Sequence, residues 1–525
     1  MATRRDLLMG TLGFGGGVAA AAGASAVARS LSARSPSLAR TGRPPRNVVL
    51  ILTDDQRWDS LSIAGHRFLR TPHLDALAEQ GAWLREAFVT TSLCCPSRAS
   101  ILTGLYAHAH GVVDNRDELD PAFPTFATLL DAHDVHTAFI GKWHMGARDP
   151  HPRPGWRRWI AFRGQGRYQY PGGGDPLDRG LSFDGELREI EGYVTDVLTD
   201  LAVAEIAAQR PGQPFCLVLS HKAVHAPFTP APRHADAYAD VLPEDVPEVL
   251  PDTDEAYADL PSWLRPMREG LFGADRPYGD WPDFRSWYLD YHRTLLAVDE
   301  SVGRVVQALR DGGLLDDTAV LFASDNGFLF GEQGVLDKRN FYEPSIRIPL
   351  LCLAPGLVAP GTRLDQPVLN VDLAPTILDL LGLEPPAHWH GRSFAPLLRG
   401  EAADWRTEFV YEYFFERTFP QTPTLFGLRT GRYKLATTWG VDAPDQLFDL
   451  QRDPEERHDL ADDPRQADRR KALKGRMARH LRALGMLREP VWGRGWRASG
   501  AQAAEAAASA GVDDDADEPG PGATE

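Results

Sequence analysis

Residues 47–56 read Asn47-Val48-Val49-Leu50-Ile51-Leu52-Thr53-Asp54-Asp55-Gln56. An apolar run of strand length leads straight into a polar, acidic turn. Unbroken apolar runs suit a central parallel strand, because helices cover both of its faces and neither face meets water.

The same pattern recurs down the chain. Thr137-Ala138-Phe139-Ile140 leads into Gly141-Lys142-Trp143-His144, and Phe215 to Leu219 leads into Ser220-His221-Lys222-Ala223-Val224-His225-Ala226-Pro227. Ala319-Val320-Leu321-Phe322-Ala323 leads into Ser324-Asp325-Asn326-Gly327. Helix-length amphipathic segments, such as Pro72 to Gly81 and Tyr288 to Gly312, lie between these runs. Strand alternating with helix predicts an α/β fold: a large, mostly parallel or mixed sheet flanked by helices. Ligands bind such sheets beyond the carboxyl ends of the strands. Four strands that end in chemically capable residues therefore predict one site.

The predicted organisation runs outward from this sheet. Residues 46–405 form the catalytic domain, and 406–490 form a smaller C-terminal α+β subdomain. In the latter, Glu408 to Phe414, Tyr433 to Thr437 and Gln446 to Phe448 read as strands, and a basic helix covers roughly Pro464 to Leu484. Residues 150–180 and 228–285 read as insertions over the sheet edge, where a substrate pocket is lined or surface loops simply lie. Their Trp156, Trp159, Trp263 and Trp281 offer stacking surfaces for sugar rings, although packing is the commoner role. Residues 1–28 resemble a twin-arginine signal, with Thr3-Arg4-Arg5-Asp6-Leu7-Leu8 before a Gly/Ala-rich run, and predict export. Residues 29–45 read as a linker and 498–525 as a disordered acidic tail.

Composition narrows the function. A chain of 525 residues with a formal net charge of −17 does not carry the cation surplus of a general nucleic-acid binder. A local cationic pocket for an anionic small substrate remains compatible with that field. Lysine is rare (Lys142, Lys222, Lys338, Lys434, Lys471 and Lys474), so each one carries more information than an arginine. Four cysteines in a chain this long make no disulfide framework, and Cys216 and Cys352 read as buried thiols.

The other two cysteines open the stretch Ser92-Leu93-Cys94-Cys95-Pro96-Ser97-Arg98-Ala99-Ser100-Ile101-Leu102-Thr103-Gly104. Pro96, favoured at the first helical position, and Gly104, favoured just past the last, mark a helix and place Cys94 and Cys95 at its N-terminus. Unpaired N–H groups and the partial positive charge there suit an anion. Arg98, Lys142 and Lys338 are candidate cations around that anion. His144 and His225 are candidates for proton transfer, because histidine titrates nearest neutrality. Asp54, Asp55, Asp325 and Asn326 are hard oxygen ligands suited to Ca²⁺ or Mg²⁺. Aspartates crowding an anion site would repel the substrate unless a cation sat among them.

Cys94-x-Pro-Ser-Arg-x-x-x-Leu-Thr-Gly closely resembles the sulfatase signature, and Asn47 to Leu460 resembles a type I sulfatase of the alkaline phosphatase superfamily. The landmarks include Asp54-Asp55, Gly141-Lys142-Trp143-His144, His225-Ala226-Pro227, Ser324-Asp325-Asn326-Gly327 and Lys338 four residues before Tyr342. Asp372 to Thr376, His390-Gly391-Arg392-Ser393 and Leu447 to Leu450 follow. The doubled cysteine and Asp337-Lys338-Arg339 are most similar to the N-acetylglucosamine-6-sulfatase branch. The resemblance implies that Cys94 is converted to Cα-formylglycine by a formylglycine-generating enzyme, and that one Ca²⁺ binds Asp54, Asp55, Asp325 and Asn326. The implied activity is hydrolysis of sulfate monoesters of a sulfated small molecule or glycan. A formylglycine-dependent phosphonate or phosphate ester hydrolase and an inactive exported carbohydrate-binding relative are the alternatives. The family's active-site serine has no assignable position, and neither the natural substrate nor the oligomeric state is encoded legibly.

Overall fold

The computed structural model describes residues 47–486, apart from 147–149, 172–179, 211, 269–272, 276–282, 402–403, 417–418 and 441–442. The expected signal, linker and acidic tail, and Trp281, lie outside the described residues. Five parallel strands form the centre of a ten-stranded sheet: β1 (Asn47–Thr53), β2 (His136–Lys142), β3 (Arg158–Phe162), β4 (Phe215–Ser220) and β5 (Thr318–Ser324). They lie in the order β5-β1-β4-β2-β3. Antiparallel pairs extend the sheet at both sides, through Leu350–Leu353 beside β5 and Gly180–Phe183 beside β3.

β1 is buried along its whole length. Val48, Leu50 and Leu52 face one apolar cluster, and Val49 and Ile51 face another on the opposite side of the sheet. Each fully buried Val or Leu contributes roughly 1.5–3 kcal/mol, against about 1 kcal/mol net for a ladder hydrogen bond. Burial therefore holds this strand at the centre. Leu295 and Val302 of the long helix Phe284–Asp311 pack into the Val49 cluster, with Leu74 and Leu77 of Pro72–Gln80. Ile101 and Leu102 of the helix Cys94–Thr103 pack into the Val48 cluster, as do Ile377 and Leu378 of Leu373–Leu380.

Register brings the strand ends level. Thr53 pairs with Ser324, Leu52 with Ser220, and Ser220 with Gly141. Gly141 has φ +117, and a Cβ there would stand 1.8 Å from the Ser220 carbonyl oxygen, so only glycine lets β2 pass this close.

A second sheet is antiparallel, with β6 (Glu408–Tyr413), β7 (Thr424–Thr430), β8 (Tyr433–Trp439) and β9 (Gln446–Asp449) in that order. β7 was not foreseen, because Gly427 and Arg429 interrupt its apolar pattern. Leu473, Met477 and Leu481 of the basic helix Ala467–Ala483 join the core beside this sheet. Among the described residues no helix is long and apolar enough to cross a membrane.

Candidate active site

The helix of the cysteine pair starts at Cys94 itself, two residues before Pro96, and ends where Gly104 turns left-handed with φ +67. His390 and Gly391 both donate backbone N–H groups to the Gly104 carbonyl at 3.0 Å, which fixes the far end. At the near end, Cys95 N donates to Asn115 Oδ1 at 3.1 Å, and Cys95 Sγ lies 3.5 Å from the Asn115 carbonyl. All four cysteines are free, buried thiols.

The four strand ends and this helix meet at one point. Cys94 Sγ lies 3.6 Å from Asp54 Oδ1 and 3.1 Å from Lys338 Nζ. Lys338 Nζ also donates to both Asp55 oxygens, at 2.7 and 2.8 Å. Lys142 Nζ pairs with Asp54 Oδ2 and donates to Gln165 Oε1. Arg98 commits its donors to the scaffold: Nε to Asp325 at 2.9 Å, Nη2 to Asp54 at 2.8 Å, and Nη1 to Ser220 Oγ and the Lys142 carbonyl. Within this structure Arg98 braces carboxylates.

Asp54, Asp55 and Asp325 present carboxylate oxygens within 4.8 Å of one another, all fully buried. Burial lifts Asp55 to about 7 and Asp325 to about 6, and the neighbouring carboxylates add to both shifts. Burial also opposes ionisation of Asp54, but Lys142 and Arg98 outweigh it and hold that carboxyl well below its usual range. Asn326 Nδ2 donates to Asp55 Oδ1 at 2.6 Å, while Asn326 Oδ1 is buried with no partner among the described residues. An orphaned buried carbonyl oxygen beside three crowded carboxylates is the donor set of a hard divalent cation. These residues fit Ca²⁺ or Mg²⁺.

Burial pushes the Cys94 thiol up to about 12, and Asp54 adds to the effect, so the side chain is a neutral thiol at neutral pH. Burial likewise drives His144 and His225 well below their ordinary value; Lys142 reinforces it at His144, and Lys338 with Lys142 at His225. His225 Nδ1 donates to the Ala226 carbonyl at 2.6 Å, which leaves Nε2 facing Asp55 Oδ2 at 3.8 Å. His144 Nδ1 is buried without a partner among the described residues, on a backbone with φ +68.

Other residues take structural places. His221 bonds Ser301 Oγ, His110 bonds Ser100 Oγ, and His108 bonds Glu412. Arg339, whose residue type is usually a solvated surface charge, is buried between Asp337 and Glu416 over the Phe419 ring. Trp156 and Trp159 pack in an aromatic group with Phe139 rather than presenting a stacking surface. Three contributors were missed. Ser220 Oγ bridges Arg98 and the Lys142 carbonyl, and Tyr291 donates to the Asp55 carbonyl at 2.9 Å. The third is Gln165, three residues beyond the end of β3. Its signal was present: Trp159 to Phe162 followed by Arg163-Gly164-Gln165-Gly166 repeats the pattern of strand, then polar turn.

Comparisons with known proteins agree with this geometry. Residues 46–383 match the family described as Sulfatase, and 331–483 match N-sulphoglucosamine sulphohydrolase, C-terminal. The chain is 30% identical over 496 residues to an N-acetylglucosamine-6-O-sulfatase of Bacteroides thetaiotaomicron, covering 84% of this chain and 87% of that one. A structure solved with its substrate D-glucosamine-2-N,6-O-disulfate superposes with a TM-score of 0.74 at 27% identity, covering 86% of this chain and all of the other. A phosphonate monoester hydrolase of Agrobacterium radiobacter superposes with a TM-score of 0.70 at 25% identity, over 84% of this chain and 96% of the other.

Proposed function

The chain belongs to the sulfatase family of the alkaline phosphatase superfamily and is a sulfuric ester hydrolase; from that premise we propose that it removes sulfate from a sulfated sugar, with 6-O-sulfated glucosamine or N-acetylglucosamine the first substrate to test. The observation that carries this reading is the convergence on Cys94 of Lys338 at 3.1 Å and Asp54 at 3.6 Å, beside three clustered carboxylates. A buried neutral thiol is a poor nucleophile, which supports conversion of Cys94 to Cα-formylglycine by a formylglycine-generating enzyme. Hydrated by water to a gem-diol, that aldehyde would supply the attacking hydroxyl and a second hydroxyl whose deprotonation expels sulfate and restores the aldehyde. Asp54, Asp55, Asp325 and Asn326 would hold one Ca²⁺, which when bound neutralises sulfate oxygens and acidifies a hydroxyl.

The remaining roles fall to the chain's own groups. Lys142, Lys338 and the helix N-terminus bind the sulfate anion and spread its developing charge. Arg98 holds Asp54 and Asp325 in place. Lys338, an ammonium already within reach of Cys94, protonates the leaving sugar oxygen; His225, neutral with its Nδ1 proton committed to the Ala226 carbonyl, presents an acceptor at Nε2 and would donate only after taking up a proton there. His144, whose Nδ1 has no other partner among the described residues, accepts a proton from the side chain at position 94. The twin-arginine-like N-terminus supports export of the folded, modified protein.

The test is a pair of measurements on protein made beside a formylglycine-generating enzyme. The mass of the proteolytic peptide containing Cys94 should match the aldehyde or its hydrate, with Cys95 still a thiol. Sulfate release should then be faster from N-acetylglucosamine 6-sulfate than phosphonate release from an aryl phosphonate monoester. The reverse order would make the chain a phosphonate hydrolase, as the second structural likeness favours. An unmodified thiol, in a host that converts a control sulfatase, would promote the binding-protein alternative.

A further inference from the structure

Gln165 touches Lys142 and has no part in the chemistry above. Three features aim it there. β3 runs parallel to β2 with Phe162 beside Lys142, so the chain leaves β3 at the level of the site. Gly164 and Gly166, on either side of Gln165, have φ of +56 and +67. A Cβ on Gly166 would stand 2.5 Å from the Phe162 ring, so this turn requires glycine. The segment is also anchored beyond the turn. Tyr168 donates to the His225 carbonyl at 2.7 Å, Val194 N donates to the Tyr168 carbonyl at 2.7 Å, and Gln169–Pro171 pairs with Glu191–Tyr193. The strap Arg163 to Tyr170 thus reaches from Lys142 to His225.

The amide's orientation follows from chemistry. An ammonium has donors and no acceptor, so Gln165 must turn its carbonyl oxygen to Lys142, which leaves both amide N–H donors directed elsewhere. Lys142 is fully buried and Gln165 half-buried, so the amide lies on the solvent side of the ammonium. An anion entering from that side would meet the amide before the ammonium. A neutral partner also leaves the lysine's charge available. Asp54 already pairs with Lys142, and a second carboxylate would cancel the attraction for the substrate.

We propose that Gln165 is a substrate-contacting residue of the sulfate pocket: its carbonyl holds the Lys142 ammonium, and its amide N–H groups donate to a sulfate oxygen. The role rests on the sulfatase reading above and assigns it a contact outside the strand ends and the nucleophile helix. A sulfate monoester carries no proton at neutral pH, so it is matched by a wall of donors and repelled by a carboxylate.

The test compares the matured full-length chain with Gln165→Ala and Gln165→Glu, using 4-nitrophenyl sulfate as substrate and inorganic sulfate as competitive inhibitor. Thermal denaturation of all three checks folding. Gln165→Ala should raise both KM and the inhibition constant for sulfate about 10-fold, the loss of one charge-assisted hydrogen bond, with Tm unchanged. Gln165→Glu should be worse near neutral pH and recover as pH falls and the new carboxylate protonates, whereas Gln165→Ala should show no such recovery. A folded Gln165→Ala variant with wild-type KM and sulfate inhibition would overturn the role, as would a pH-independent defect in Gln165→Glu. A wild-type chain, confirmed as matured, that neither hydrolyses the ester nor binds sulfate would overturn the sulfatase reading and this role with it.

Discussion

The hydroxyl of Tyr411 lies 2.7 Å from the hydroxyl of Ser92, two residues before Cys94. Tyr411 belongs to β6 of the C-terminal sheet, and it also donates to the Asn340 carbonyl at 3.0 Å, two residues after Lys338. Its neighbour Glu412 donates its backbone N–H to the Thr90 carbonyl at 3.0 Å. The second sheet therefore ties the loop carrying Cys94 to the loop carrying Lys338. Tyr411→Phe removes a fully buried hydroxyl with two partners. We expect a stability loss of about 1–2 kcal/mol in denaturant titrations and a fall in kcat larger than the change in KM.

Arg98 is 3% exposed and joins two buried aspartates. Arg98→Ala leaves those carboxylates without their brace, and breaking a buried pair in this way costs about 3–5 kcal/mol. Arg98→Lys keeps the charge but lacks the fork that reaches Asp54, Asp325 and Ser220 together. It should recover part of the stability in the same unfolding assay and little of the kcat.

The carboxylate cluster predicts a cation requirement. Chelation should lower Tm and abolish hydrolysis, and Ca²⁺ at about 100 times its dissociation constant should return about 2.7 kcal/mol of stability. Asn326→Ala removes the orphaned carbonyl oxygen and should weaken the calcium-dependent rise in Tm, read without any activity assay.

Cys94→Ser keeps a hydroxyl but has no second one with which to release sulfate. Rapid-quench measurement should find at most one sulfate ester cleaved per chain, followed by very slow turnover. Normal multiple turnover in this variant would remove the proposed role of formylglycine.

His108 reports the attachment of the C-terminal region. Burial opposes its protonation, but Glu412 at 2.7 Å outweighs burial and raises the imidazole above its ordinary 6.5. A raised folded value means stability that is complete below about pH 6.5 and is lost as pH rises through the higher folded value. Denaturant midpoints should fall over that window in the wild type and stay flatter in His108→Gln.

Much of this site is legible in the sequence. Asp54, Lys142, His225 and Asp325 each follow an apolar run of strand length, and in a parallel sheet such ends share one edge by construction. The burial of Arg339 was not legible for a physical reason. Residue type sets only an average exposure, and of the two carboxylates that hold Arg339, Asp337 is local but Glu416 stands 77 positions away.

The amino-acid sequence alone determined the alternation of strand and helix, the chemistry at the strand ends and the end of the Cys94 helix at Gly104. These depend on periodicity, glycine and proline, whose effects act within a few residues. The tertiary structure decided which groups meet. The strand order β5-β1-β4-β2-β3 sets Asp325 beside Asp55 and brings Gln165 to Lys142; packing of the helix Cys94–Thr103 and of the second sheet against it turns Arg98 onto carboxylates and places Tyr411 behind Ser92, 319 positions away. Contacts at such separations arise from packing whole elements against one another, and no local pattern encodes them.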